Sequence, residues 1–229
     1  QGLVYLNGKA VQGLDINHTR VRLEPNKEYD VIIYFYTGLT GFKSEFNVNV
    51  IIKNTDIEKL YYDIKVPYDA AMCFDKDDYN YITILKYLER ACNIIDARVI
   101  MSEDFINSVK KADEFLQEEF YKKECGKLDA VVNYIGHTHI DVAWLWTLDQ
   151  TKEKVQRSFS TVLKLMDEYP EYVFMSSQPQ LYKYLKQEDG VLYEKVKQRV
   201  KEGRWEVEGA MWLEADCNLS SGESLVRQI

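Results

Sequence analysis

A chain of 229 residues, 46% of them apolar, is long enough for one large domain or two smaller ones with a buried core. Its 29 basic and 37 acidic side chains give a net charge of −8 at pH 7, which argues against nucleic acid or an anionic membrane as the main partner, because both attract basic surfaces. No apolar run reaches the roughly 18 residues of a spanning helix, and the opening QGLVYLNGKAV lacks the charged start and apolar middle of a secretory signal.

The first third reads as strands. Asn7-Gly8 between VYL and KAV signals a hairpin, and Val31 to Tyr36 is a β-branched and aromatic run. Gly38 and Gly41 bracket a break. Beyond them Phe46, Val48, Val50 and Ile52 alternate with polar residues, and Leu60, Tyr62, Ile64 and Val66 continue the period of two. Residues 1–67 are therefore expected to form a β-rich, sandwich-like domain. After Pro67 the spacing turns helical at Tyr81, Ile84, Leu85, Leu88, Ala91 and Ile95. A second helix is expected from an N-cap at Ser102, with Phe105, Val109, Ala112, Leu116 and Phe120 as its apolar stripe. Residues 68–127 read as a helical connector.

From residue 128 to 229 the order becomes strand, helix, strand, helix, strand: VVNYIG, a helix near Thr151 to Glu168, YVFMSS, Tyr193 to Glu202, then WEVEGAMW. Such alternation predicts a parallel sheet covered by helices, the start of an α/β catalytic domain. Ser220 and Glu223 stand at capping-box spacing before a last helix, SLVRQI, which has a start signal and no stop signal. The four cysteines, Cys73, Cys92, Cys125 and Cys217, have no metal-ligand spacing and are too sparse to staple a domain, so a reducing, cytoplasmic setting is expected.

In a parallel α/β sheet the chemistry sits at the carboxyl ends of the strands. The first of these ends reads Gly136-His137-Thr138-His139-Ile140-Asp141, followed by Val142-Ala143-Trp144-Leu145-Trp146. Residues two apart in extended chain share a side, so His137, His139 and Asp141 can face one pocket. An imidazole and a carboxylate so placed suit zinc; a pair of ordinary histidines near a strand end satisfies the same spacing. Trp144 is either a wall for a sugar ring or a core residue. The last strand end carries Glu214 and Asp216, another same-side pair if the chain stays extended, suited to acid–base work or to holding substrate hydroxyls; solvated loop residues are the alternative.

The stretches HTHIDVAWLWTLDQT, EYPEYVFMSSQPQLYKYLK and EGRWEVEGAMWLEADCNLSSGESLVRQ, in this order, resemble the family 38 α-mannosidases over roughly residues 130–229. The strand-rich start and the connector resemble the extra N-terminal region of the cytosolic, vacuolar and bacterial branch. The resemblance implies a retaining exo-hydrolase that removes α-linked mannose from mannose-containing oligosaccharides, with one zinc ion in the site. It assigns His139 and Asp141 as metal ligands, Trp144 as the sugar platform and His137 as a neighbour that orients the ligands; Asp216, which is not the family's nucleophile, is expected from its place at the last strand end to contact substrate. It also implies that the nucleophile, in a D-x-F-G motif, the general acid and a further His ligand lie beyond Ile229. These 229 residues alone are then expected not to hydrolyse substrate. Two other classes compete. One is a carbohydrate-binding module, in which Tyr34, Tyr36, Tyr61 and Tyr62 would line the N-terminal sheet; the other is a scaffold for contacts in a homo-oligomer.

Overall fold

The computed structural model describes residues 1–36, 45–125, 130–209 and 211–229. The break expected around Gly38 and Gly41 lies outside them. Three antiparallel strands come first, then helices, then a three-stranded parallel sheet with its own helices. The chain divides into two compact units, Gln1–Ser44 with Val132–Ile229 and Glu45–Val131.

In the first unit, β1 (Gly2–Leu6), β2 (Lys9–Leu14) and β3 (Val31–Phe35) form a sheet in the order β2-β1-β3. The hairpin at Asn7 and Gly8 is present, with φ of 51° and 75°, the left-handed backbone that a two-residue turn between strands requires. β2 packs on α4 (Leu148–Glu168), where Gly13 donates its N–H to Thr161 Oγ1 at 2.9 Å. A Cβ on Gly13 would lie 2.8 Å from the Arg157 carbonyl oxygen, so only glycine permits this approach.

The parallel sheet runs β4 (Ile135–His137), β5 (Val173–Met175), β6 (Trp205–Glu206). These strands are shorter than the runs VVNYIG, YVFMSS and WEVEGAMW suggested. α4, α5 (Pro179–Glu188) and α6 (Gly190–Lys201) connect them, and Thr147 and Gln150 close a capping box on α4. Val155, Phe159, Phe174, Leu181, Leu185 and Trp205 are buried between helices and sheet. Phe159 and Phe174 meet Trp205 edge-on at 4.9 and 4.7 Å. The indole N–H of Trp205 is paired despite burial: it donates to the Tyr182 hydroxyl at 2.9 Å, which in turn donates to the Ser176 carbonyl. The last helix, α7 (Gly222–Val226), is capped by Ser221 rather than by Ser220.

The second unit holds α1 (Thr55–Ala71), α2 (Tyr79–Ile94) and α3 (Glu103–Phe115), the last continuing as a π-helical stretch over Leu116–Glu124. Ser102 caps α3 as expected. The alternation at 60–66 does not make a strand. Ile57, Leu60, Ile64, Pro67 and Ala71 recur at helical spacing and turn inward, while Tyr61, Tyr62 and Val66 are exposed. Asn54 starts this helix by accepting from the N–H groups of Asp56 and Ile57. Phe46, Val48, Val50 and Ile52 are likewise exposed and form no strand. No described helix is long and apolar enough to cross a membrane.

Pro67 inside α1 deprives the Asp63 carbonyl of its helical donor, and the Tyr121 hydroxyl supplies one at 2.9 Å. Burial, then the Asp63 carboxylate, push the Tyr121 hydroxyl up to about 12. The folded state thus keeps this proton above the ordinary tyrosine value of 10.0, so stability is fully present below that value and is lost as pH climbs towards 12. Tyr121→Phe is expected to cost about 1 kcal/mol at neutral pH and to flatten that alkaline decline, both measured as urea midpoints against pH.

Candidate functional site at the ends of the parallel strands

All three parallel strands end on one side of the sheet, and the segments that follow them converge. After β4 the chain alternates. Ile140, 3% exposed, points into the core, which turns His139 and Asp141 outward together. His139 Nε2 lies 3.0 Å from Asp141 Oδ1, and His139 Nδ1 lies 3.1 Å from Glu214 Oε2, from the segment after β6. All three side chains are partly open to solvent.

Several further bonds fix this arrangement. The Asp141 carbonyl accepts from the buried Thr151 hydroxyl at 3.1 Å, and Thr151 itself accepts from the Trp146 indole N–H at 3.0 Å. Trp146 is therefore an anchor. Trp144 stands edge-on to it at 5.8 Å and is 67% exposed, so its face is open. After β5, Ser177 donates to Glu214 Oε1 at 3.2 Å. Gln178, 3% exposed, donates to the Ile140 carbonyl at 3.1 Å, and its amide oxygen accepts from the Glu214 N–H at 3.5 Å. One buried amide thus touches the loops after β4 and β6.

The remaining expected residues sit apart from this contact. His137 places Nδ1 3.1 Å from the Met175 carbonyl, on β5, rather than on His139 or Asp141. Asp216 is exposed and opens a turn: its Oδ1 accepts from Asn218 N at 2.9 Å and its carbonyl from Leu219 and Ser220. Of the pair Glu214 and Asp216, it is Glu214 that reaches His139. No sequence signal pointed to Ser177 or Gln178.

The donors suit a metal in part. A neutral imidazole carries one N–H, yet both ring nitrogens of His139 face carboxylates. A doubly protonated ring donates to both carboxylates; a neutral ring with its proton towards Glu214 would leave Nε2, with the Asp141 carboxylate, as two of the donors a metal needs. Glu214 lies on the opposite ring nitrogen, so only two donors converge there. Among the described residues no group of three or more His, Cys, Asp or Glu side chains is disposed to hold an ion.

These features define an α/β domain with a polar, aromatic-flanked site at the carboxyl ends of its strands. Residues 129–229 match the family described as Glycosyl hydrolases family 38 N-terminal domain. The whole chain is 30% identical over 255 residues to alpha-mannosidase G of Dictyostelium discoideum, of which it covers 23%. It is 31% identical over 191 residues to an alpha-mannosidase of Saccharomyces cerevisiae, with 79% of this chain and 17% of that protein covered. Human alpha-mannosidase 2C1 is 26% identical over 251 residues, with all of this chain and 24% of that protein covered. The similarity to family 38 glycosyl hydrolases is thus to their N-terminal domain, over residues 129–229, and the chain spans 17% to 24% of the length of these curated relatives.

Gln178 has a φ of 66°, left-handed backbone that costs any residue but glycine. Removing its side chain leaves the buried Ile140 carbonyl without its partner, at about 1–3 kcal/mol. Gln178→Ala and Gln178→Gly both suffer this loss, but glycine accepts the backbone freely. Urea midpoints are expected in the order wild type, Gln178→Gly, Gln178→Ala, the last lowest.

Proposed function

We propose that this chain supplies part of the sugar site of a zinc-dependent, retaining exo-α-mannosidase acting on mannose-containing oligosaccharides. The observation that carries the reading is the convergence of His139 and Asp141 on the segment that also carries the exposed Trp144, within the residues that match the family. His139 Nε2 and the Asp141 carboxylate would hold the zinc ion, with its other ligands from the rest of the protein. Bound there, zinc supplies a Lewis-acidic point that orients sugar hydroxyls.

The chain's own residues then have separate tasks. Trp144 offers an apolar face on which a pyranose ring stacks, which excludes water from one side of it. Asp216 accepts hydrogen bonds from substrate hydroxyls. Ile140, Thr151 and Gln178 hold the loop so that His139 and Asp141 stay aligned before substrate arrives. A retaining mechanism needs two carboxylates about 5–5.5 Å apart, one as nucleophile and one as acid and then base.

Metal content and hydrolysis of an aryl α-mannoside by the full-length protein test this reading. Zinc is expected at about one ion per chain. His139→Ala and Asp141→Ala are expected to lose both metal and activity while remaining folded. Trp144→Ala is expected to raise KM about tenfold. Asp216→Asn is expected to raise KM with kcat kept, as a substrate contact requires; an unchanged KM removes Asp216 from the substrate's contacts. A full-length protein that is metal-free and inert overturns the assignment.

A further inference from the structure

We propose that Glu214 is a positioning residue for His139: its carboxylate accepts a hydrogen bond from the ring's Nδ1–H and so leaves the Nε2 lone pair for the metal that His139 and Asp141 would hold. The inference rests on the zinc reading above and adds to it the group that sets the ring.

An imidazole binds a metal through a nitrogen without a proton, and rotation about its side-chain bonds can present either nitrogen. Here the two nitrogens are not equivalent. Nε2 is 3.0 Å from Asp141, the other candidate ligand, and Nδ1 is 3.1 Å from Glu214, which comes from a different strand end. A hydrogen bond from Nδ1–H to a carboxylate fixes both the tautomer and the plane of the ring, the role such carboxylates play behind metal-bound histidines.

Glu214 can do this because it is itself held at several points. Ser177 donates to Oε1, which leaves Oε2 for the ring, and the Glu214 N–H meets the Gln178 amide oxygen. Gln178 also holds the carbonyl of Ile140, the residue next to His139. Donor and acceptor of the Nδ1 contact are therefore referenced to one buried side chain. The relative position of ring and carboxylate is fixed before any metal arrives.

The test measures zinc affinity by chelator competition on the full-length protein, beside kcat and KM. Glu214→Leu keeps the bulk and loses the acceptor; Glu214→Gln keeps an acceptor oxygen. Glu214→Leu is expected to bind zinc about 10- to 100-fold more weakly and to lose kcat. Glu214→Gln is expected to recover most of the affinity, with the melting temperatures of the two metal-free variants alike. Ser177→Ala, which leaves Glu214 in place but less restrained, is expected to lose affinity by a few-fold and stands in if Glu214→Leu does not fold. Wild-type affinity in Glu214→Leu, or equal losses in Leu and Gln that track a lowered melting temperature, overturns the positioning role while the mannosidase reading survives. A wild-type protein with no zinc overturns both.

Discussion

Parallel pairing of three short strands is the constraint from which the site follows. Because β4, β5 and β6 run the same way, the segments after His137, Met175 and Glu206 all leave the sheet from one side. The strands are only two or three residues long, so hydrogen bonds between them cannot hold this arrangement alone. The holding comes from α4, α5 and α6, whose apolar faces close over Phe174 and Trp205. Burial of those two rings and of Phe159 keeps three strand ends close enough for one glutamine and one histidine to span them.

At the rim the same principle works residue by residue. A core anchor precedes or separates each polar group: Ile140 between His139 and Asp141, Thr151 under the Asp141 carbonyl, Gln178 beneath Glu214. The exposed side chains therefore stand on backbone that is fixed from below. A surface histidine with two carboxylate neighbours is otherwise an ordinary exposed ion pair of small energetic weight. What distinguishes this one is the fixed geometry around it.

How much of this could be read from the sequence depended on range. The hairpin at Asn7-Gly8, the cap at Ser102 and the alternation of strand and helix after residue 128 are local chemistry, and the structure shows each. The pairing of His139 with Asp141 is local too, since two residues in extended chain share a side. Glu214 meets His139 from 75 residues further along the chain, and Gln178 reaches both loops from a third segment; no spacing rule carries such contacts. The residues at 60–66 show a different limit. Their period of two is real, but Ile57 and Ala71 extend a helical stripe through Leu60, Ile64 and Pro67, and packing of that stripe decided the outcome. Tyr61 and Tyr62 consequently belong to α1, in the helical unit, and not to the strand β3 that carries Tyr34.

The most direct measurement is anomalous diffraction at the zinc edge from crystals of the full-length protein. The account predicts a single strong peak within bonding distance of His139 Nε2 and the Asp141 carboxylate, with His139 Nδ1 still on Glu214. A peak on Nδ1, a peak that touches neither residue, or no peak in crystals of an active protein would contradict it.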